Sequence, residues 1–509
     1  MQRPETPRRP PSTVSATPSI VPIPRKERRG LFATLTLLPE VTHPRDYSNK
    51  TKWILTAQVA LAGACSPVGS AVVMPALLEI SRDLNSTPTI ANLSVAVYML
   101  SLAFFPLWWS SFSETLGRRT VYIISFALFT LFAILSAVAT NIAMLITMRV
   151  FSGGAAASVQ AVGAGSIADI WEPKERGRAM GIFFLGPLCG PLIAPIIGGV
   201  LTEAFNWRAT QWFLVIYGGV VLVFLTLFLP ETLPRQQTDA HRRAQQATHE
   251  DLHRVSTRQS VQQKTKRSVV ILRHWFIDPL SIVLYIRFPA VFTTVIYASI
   301  SFGCLYFLNI SIQETFGREP YNFSTLIVGL LYIPNSLGYI LAALFGGRWI
   351  DHIMKREATR AGRYDEKGKL VFQPEDRMRE NAYLAGFLFP GALLWYGWTA
   401  HKGVIWIVPM IANFFFGIGS MLVFTMATTM LTEFMPRNAS AGIAVNNFVR
   451  NIFSFVGGVV AEPLIRAIGN GWLFTILAAI AFITCVASVY SMKKFGPKWR
   501  VAMQAKMRS

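Results

Sequence analysis

Twelve long apolar runs alternate with polar stretches along the chain. They cover about 53–75, 91–112, 120–139, 142–167, 178–201 and 211–230. After a gap come about 288–310, 325–347, 381–400, 404–430, 440–462 and 472–491. A bilayer-spanning helix needs roughly 20 mostly apolar residues, and each run supplies them. The pattern predicts an all-α membrane protein of twelve transmembrane helices. The polar remainder is uneven. A Pro- and Arg-rich leader (1–52) is expected to be disordered. A basic, Gln-rich linker (231–287) divides the helices six and six, and a short tail (492–509) ends the chain. The expected organisation is a six-helix bundle at 53–230 and a second at 288–491, two pseudo-symmetric halves. The first run follows a long polar leader, so it does not read as a cleavable signal peptide.

Composition agrees with this picture. Of 509 residues, 52% are hydrophobic and 15% charged, against roughly 25% charged in soluble domains. The net charge of +21 would suggest nucleic acid until its distribution is read. With the leader placed in the cytoplasm, 41 of the 48 Lys and Arg residues fall on the cytoplasmic side. Five fall outside (Arg82, Arg208, Arg318, Lys402 and Arg466), and Arg149 and Arg450 lie within spans. Positive residues accumulate on the cytoplasmic side of membrane proteins. The split therefore predicts both termini inside and makes a nucleic-acid partner unnecessary. The sequons at Asn85 and Asn322 fall in expected outer loops and are glycosylation candidates. Four cysteines and seven histidines show no metal-ligand spacing, and no G-x-x-x-x-G-K-[ST] occurs. No metal or cofactor is expected, and the energy source should be an ion gradient rather than ATP.

Four motifs carry a family resemblance. The loop SETLGRRTVY (113–122) joins the second and third spans. MRVFSGGAAA places Arg149 and Gly153 on the fourth. GPLCGPLIAPIIGG (186–199) packs three Pro and four Gly into the fifth. PEDRM (374–378) and NNFVRNIF (446–453) follow in the second half. Together these resemble the major facilitator superfamily, specifically the twelve-span drug:proton antiporters of fungi, nearest the quinidine-resistance and polyamine-exporter branch. The resemblance covers about 50–495. It departs from the first motif's usual form, since Ser110 stands for its Gly, Glu114 for its Asp and Thr115 for its Arg.

The residues suggest specific chemistry. Gly117 permits a tight turn, and Glu114, Arg118 and Arg119, with Asp351 after the eighth span, form an expected cytoplasmic latch. Arg149 lies inside the fourth span, where an arginine costs about 2.5–3.5 kcal/mol on insertion scales. It should therefore face a cavity or a partner. Arg450, with Asn446 and Asn447, earns the same reading, and Asn447 shares its helix face. Asp169 is a candidate for a charge relay with Glu114 and Arg118. Gly186, Pro187, Gly190, Pro191, Pro195, Gly198 and Gly199 should bend the fifth helix and seal it against a neighbour, the eighth helix by the family's architecture. Tyr98, Gln160, Asn335 and Tyr339, with Tyr332 and Asn413, are polar groups within apolar helices and candidate cavity lining. Aromatic faces there would suit cationic amphiphiles. No acid lies in the middle of a span. Glu79, Glu203, Glu314, Glu433 and Glu462 sit near helix ends, Glu462 deepest.

The expected function is proton-coupled export, by alternating access, of hydrophobic or cationic small molecules such as drugs. The partners are a small-molecule substrate, protons and the lipid bilayer, and the protein is expected to act as a monomer in the plasma membrane. Alternatives are a dedicated exporter of a secondary metabolite, organic acid or polyamine, and a non-transporting sensor. The scattered histidines disfavour a membrane-embedded enzyme.

Overall fold

The helix starts follow local chemistry. Ser48 accepts the amide of Thr51 (3.3 Å) and starts α1, Asn49–Ala71, which continues through Met74–Ala76 into Leu77–Asp83. Thr87 caps α2, Pro88–Thr115, with Pro88 in its first turn, where the missing N–H costs nothing. Gly117, at φ 93°, turns the chain into α3, Arg118–Ala137. Asn141 accepts the amide of Met144 (2.8 Å) at the start of α4, Ile142–Ala156 and Ser158–Ile170. Then come α5, Arg176–Ala204, and α6, Trp207–Phe228. The second half holds α7 (Pro289–Phe316), α8 (Thr325–Leu330 and Ile333–Arg360), α9 (Glu380–His401) and α10 (Ile407–Phe434). A last helical stretch, Ala439–Lys506, breaks at Gly469 (φ 73°, ψ 164°) into α11 (439–468) and α12 (470–506). This computed structural model describes residues 23–172, 175–234, 278–364, 370, 380–435 and 439–506.

Among the described residues nine helices are long and apolar enough to cross a membrane, and one of these, Ala441–Met503, contains the α11–α12 break. With α5 and α9 the rods number twelve. The fold is all-helical. Large apolar side chains stay exposed on the outer faces of the rods, including Ile216 and Phe224 on α6, Phe387 on α9 and Ile483 on α12. Such a belt is suited to lipid rather than water.

Packing follows the two sets of six. In the first, α1 lies on α5, α3 on α6, and α2 and α3 on α4; in the second, α7 lies on α11, α8 on α10, and α9 on α10 and α12. The sets meet where α2 lies along α11 and where α5 meets the start of α8. Hydrogen bonds between the sets run from the middle of the rods toward the end opposite the leader. Asn451 Nδ2 donates to the Leu102 carbonyl (3.1 Å) and Tyr306 to Met99 Sδ (2.8 Å) at mid-height. Farther along, Thr89 donates to Glu462, and Glu203 accepts the Leu326 amide (2.8 Å).

The leader departs from expectation. Residues 23–48 are folded onto the ends of α3 and α6 rather than disordered. Arg29 pairs with Glu40 (2.7 Å) and donates to the Leu233 carbonyl (2.7 Å), and the Leu37 amide donates to the Leu227 carbonyl (2.7 Å). Val41 and Tyr47, within this segment, are buried. The reason is tertiary. A Pro- and Arg-rich stretch has little intrinsic structure, yet carbonyls at a helix end are strong acceptors that its guanidiniums can reach. Residues 1–22, most of the linker and PEDRM lie outside the described residues.

Candidate functional site

At mid-height, Arg149 is fully buried among α1, α2 and α4. Its Nη1 donates to the Gly69 carbonyl (2.8 Å) and its Nε to the Ser94 carbonyl (3.4 Å). Its guanidinium carbon lies 4.4 Å from the centre of the Tyr98 ring. Two glycines make this possible. A Cβ at Gly69 would strike the Tyr98 hydroxyl, and one at Gly153 would lie 3.0 Å from the Tyr98 ring. The Tyr98 hydroxyl and Arg149 Nη2 have no hydrogen-bond partner. Arg149 is thus held by carbonyls and a ring face, and no carboxylate among the described residues pairs with it.

Arg450 is the counterpart in the second half. Its guanidinium carbon lies 4.3 Å from the Phe302 ring centre and 5.0 Å from that of Phe424. Its Nε is buried without a partner, and both polar atoms of Asn446, one turn earlier, are also unpartnered. Asn447 is half-buried beside it. Tyr306, on α7, lies within electrostatic reach of both arginines. Tyr339 shares a hydrogen bond with Ser420 (2.8 Å), which shares another with Ser301 (2.7 Å). Gln160 Oε1, Asn335 Oδ1 and the Asn413 amide are buried without partners. Tyr332 instead donates to the Asn309 carbonyl (3.0 Å), tying α8 to α7.

At the leader end the expected latch has a different membership. Arg118 pairs with Asp169 on α4 (3.3 Å) and also donates to Ser113. Gly165 leaves room for that guanidinium, since a Cβ there would lie 2.9 Å from it. Arg119 donates to the carbonyls of Leu225, Leu229 and Thr226 (2.7 Å) at the end of α6, and to Leu31 (3.0 Å) and Phe32 (2.9 Å) of the leader. A cation at a helix C-terminus is favourable. Glu114 is exposed and has no partner among the described residues, so its expected pairing is corrected. The Asp351 side chain lies outside the described residues. The acid that completes the cluster is Glu231, which the sequence reading did not single out. It accepts the amides of Arg118 (2.9 Å), Arg119 (3.2 Å) and Leu233 (3.0 Å), capping α3. A Cβ at Gly117 would collide with it. The available signal was an acid just past the end of a span on the strongly basic side.

Burial pushes the Glu231 carboxyl above its usual range, opposed by the Leu233 and Arg118 amides and by Arg29. Because the folded value lies above the unfolded one near 4.3, the group stabilises the fold relative to the unfolded chain below that pH. This contribution is lost as pH rises through the folded value. Glu231→Ala should cost about 1–3 kcal/mol by stripping three buried amides of their acceptor. Glu231→Gln should keep most of the stability and flatten that stretch of the pH profile. Thermal unfolding of purified protein across this pH range reads both effects. A Glu231→Gln profile that keeps the wild-type slope would assign it to another group.

α5 carries Pro187, Pro191 and Pro195 inside one continuous helix. Its glycines are contact surfaces. A Cβ at Gly186 or Gly198 would run into the carbonyl of Ala60 or Val72 on α1, and one at Gly190 would lie 2.9 Å from Pro67. Gly199 alone of the four faces the start of α8, where a Cβ would lie 2.9 Å from the Thr325 carbonyl. The expected tight contact with α8 is present at Pro195 and Gly199, where a Cβ at Gly329 on α8 would run into the Pro195 carbonyl. α5 seals mainly against α1, and α8 meets it only near the far end.

That far end gathers the acids. Glu462 on α11 is buried, pairs with Arg466 and accepts from Thr89 of α2 across the seam. Glu314 on α7 pairs with Arg318 (2.8 Å) and lies within electrostatic reach of Glu462 and Arg466. Asn85 and Asn322 are exposed at this end, both in left-handed turns with φ of 49° and 50°. Among the described residues no group of three or more His, Cys, Asp or Glu could hold a metal ion, and Cys65, Cys304 and Cys485 are free and buried.

Residues 59–458 match the Major Facilitator Superfamily. The chain is 36% identical to the MFS antiporter QDR3 of Candida albicans, over 94% of this chain and 82% of that one. It is 48% identical to the MFS transporter OpS2 of Beauveria bassiana, over 69% of this chain and 99% of that one. It is also 30% identical to quinidine resistance protein 3 of Saccharomyces cerevisiae, over 94% and 87%. Among solved structures, a POT family transporter in complex with 5-aminolevulinic acid superposes with a TM-score of 0.61 at 12% identity. The match covers 90% of this chain and 99% of that one, a likeness of fold. With these matches, and twelve helices that pack as two sets of six around buried arginines, the chain belongs to the Major Facilitator Superfamily as a multi-pass membrane transporter.

Proposed function

We propose that the protein is a proton-coupled antiporter that exports hydrophobic small molecules by alternating access. The halves at 53–230 and 288–491 rock about the arginine-lined centre, with both termini cytoplasmic, in the plasma membrane, and one chain suffices. It is a carrier, not an enzyme. Relatives named as an antiporter and a quinidine resistance protein support the class. The observation that carries the coupling is Glu462. It is a buried carboxylate on one half that accepts a hydrogen bond from Thr89 on the other. Taking up a proton removes its charge and weakens that bond and its pairing with Arg466. Protonation from the outside thus loosens the seam that closes the far end. The leader-end cluster lies within the first half and braces α3, α4, α6 and the leader as a unit.

The test is transport in sealed inside-out vesicles with an acidic interior, following quinidine, a polyamine and an aromatic carboxylate. Antiport gives uptake that collapses with a protonophore. Uptake indifferent to the gradient overturns the coupling and leaves a facilitator. A second reading, dedicated export of an acidic metabolite, is favoured by the arginines at the centre.

A further inference from the structure

Resting on the reading of the chain as a carrier of hydrophobic small molecules, the geometry around Arg450 narrows their chemistry. We propose that the transported molecule presents a carboxylate to Arg450, and that the central site selects against cationic amphiphiles. The first observation concerns the aromatic faces. Rings within a membrane slab attract cations through their π-faces, which is why such residues suggested cationic substrates. Here the protein's own guanidiniums lie against three of the central rings. Arg450 lies against Phe302 and Phe424, and Arg149 against Tyr98.

The second observation concerns acceptors. The other arginines of the site and of the leader end each have oxygen acceptors, although Arg149 Nη2 is left unpartnered. Arg118 has Asp169 and Ser113, Arg119 has five carbonyls, and Arg149 has the carbonyls of Gly69 and Ser94. Arg450 has no acceptor among the described residues, and its Nε is buried and unpartnered. It is half-buried, where Arg149 is fully buried. A guanidinium packed against rings keeps its in-plane N–H fork, the geometry that takes a carboxylate in a bidentate pair. Asn446 lies one turn away on the same helix face, and its side-chain amide also lacks a partner.

The third observation is the sign of the whole slab. No Asp or Glu lies in the middle of any span, and the buried carboxylates Glu314 and Glu462 stand at the far ends of their helices. Two arginines without a counter-ion repel a cationic ligand and are neutralised by an anionic one. The low dielectric of the site amplifies both effects.

The experiment uses the full-length protein in neutral-lipid nanodiscs and three probes that share one ring system: 2-naphthoate, 2-naphthamide and 2-naphthylmethylammonium. Binding is read by tryptophan fluorescence without any gradient. The naphthoate should bind at least about tenfold more tightly than the ammonium compound, with the amide between them, as expected for one charge-assisted pair. Arg450→Gln should abolish the preference for naphthoate over naphthamide. Arg450→Lys, which keeps the charge without the fork, should retain part of it, and thermal unfolding confirms that both variants are folded. Equal or tighter binding of the ammonium compound, a preference that survives Arg450→Gln, or no binding of naphthoate overturns the proposal. Because no gradient is present, the result is separate from coupling. A carboxylate preference with gradient-indifferent vesicle uptake would sink antiport and leave the site assignment standing.

Discussion

Replacing Arg149 by alanine abolishes gradient-driven uptake in the vesicle assay while leaving a folded protein in the membrane. The expectation rests on two opposing magnitudes. Removing the guanidinium loses a charge-assisted bond to the Gly69 carbonyl at 2.8 Å and a longer one to the Ser94 carbonyl, each worth at most about 1.5–3 kcal/mol. It also loses the contact with the Tyr98 ring, worth about 2 kcal/mol when desolvated. Against this, the variant no longer holds a cation in the slab, which costs about 2.5–3.5 kcal/mol. The sum is small beside the stability of twelve packed helices, so folding survives. Function should not, because Arg149 ties α1, α2 and α4 at mid-height, where the proposed alternating access needs the packing to rearrange. Arg149→Lys places a point charge where a fork was needed. It cannot lie flat on Tyr98 and reach both carbonyls, so its rate should fall by about tenfold, the loss of one interaction of about 1.4 kcal/mol. Uptake by Arg149→Ala at the wild-type rate would show the arginine to be only structural.

Glu462→Gln should separate transport from the proton. Glutamine can still accept from Thr89, so the far-end seam keeps its shape, but it cannot take up a proton or pair its charge with Arg466. Substrate-for-substrate exchange should persist. Uptake driven by an acidic vesicle interior should fall by at least about tenfold, the scale of one lost charge-assisted interaction, and lose its dependence on pH. The charged groups near Glu462 are Arg466 on its own helix and Glu314 on α7, which itself pairs with Arg318 just past the end of α7. Glu314→Gln is therefore the informative companion. If Glu314→Gln abolishes the pH response and Glu462→Gln leaves it intact, the proton rides on α7 rather than α11. If both variants keep the wild-type response, the far-end acids are not the coupling groups.

Glu462 also marks how far a sequence can be read. Its depth in the eleventh span was legible because boundary position needs only hydropathy. That Thr89 lies across from it was not, since the two are brought together only when α2 lies along α11. Glu231 tells the same story at the other end. It follows the sixth span by a few residues and looks like any loop acid until α3 and α6 are set side by side. Then three amides converge on it. Glu114, five residues from Arg119, looked the better partner and is instead exposed, because the turn at Gly117 directs the helix N-terminus toward Glu231. The leader shows the limit of composition, which records intrinsic disorder and not the acceptors that a neighbouring helix end supplies.

Hydropathy and charge thus set the helical class, the membrane setting and the motif residues. These depend on how each segment partitions between water and lipid, a property of local composition. The partners of the charged residues were decided by the tertiary structure alone. In a slab without water a guanidinium takes whatever carbonyl, ring face or carboxylate packing brings within a few ångströms. Packing gave Arg149 to Tyr98 and two carbonyls, α5 to α1, and Arg450 to phenylalanines on α7 and α10.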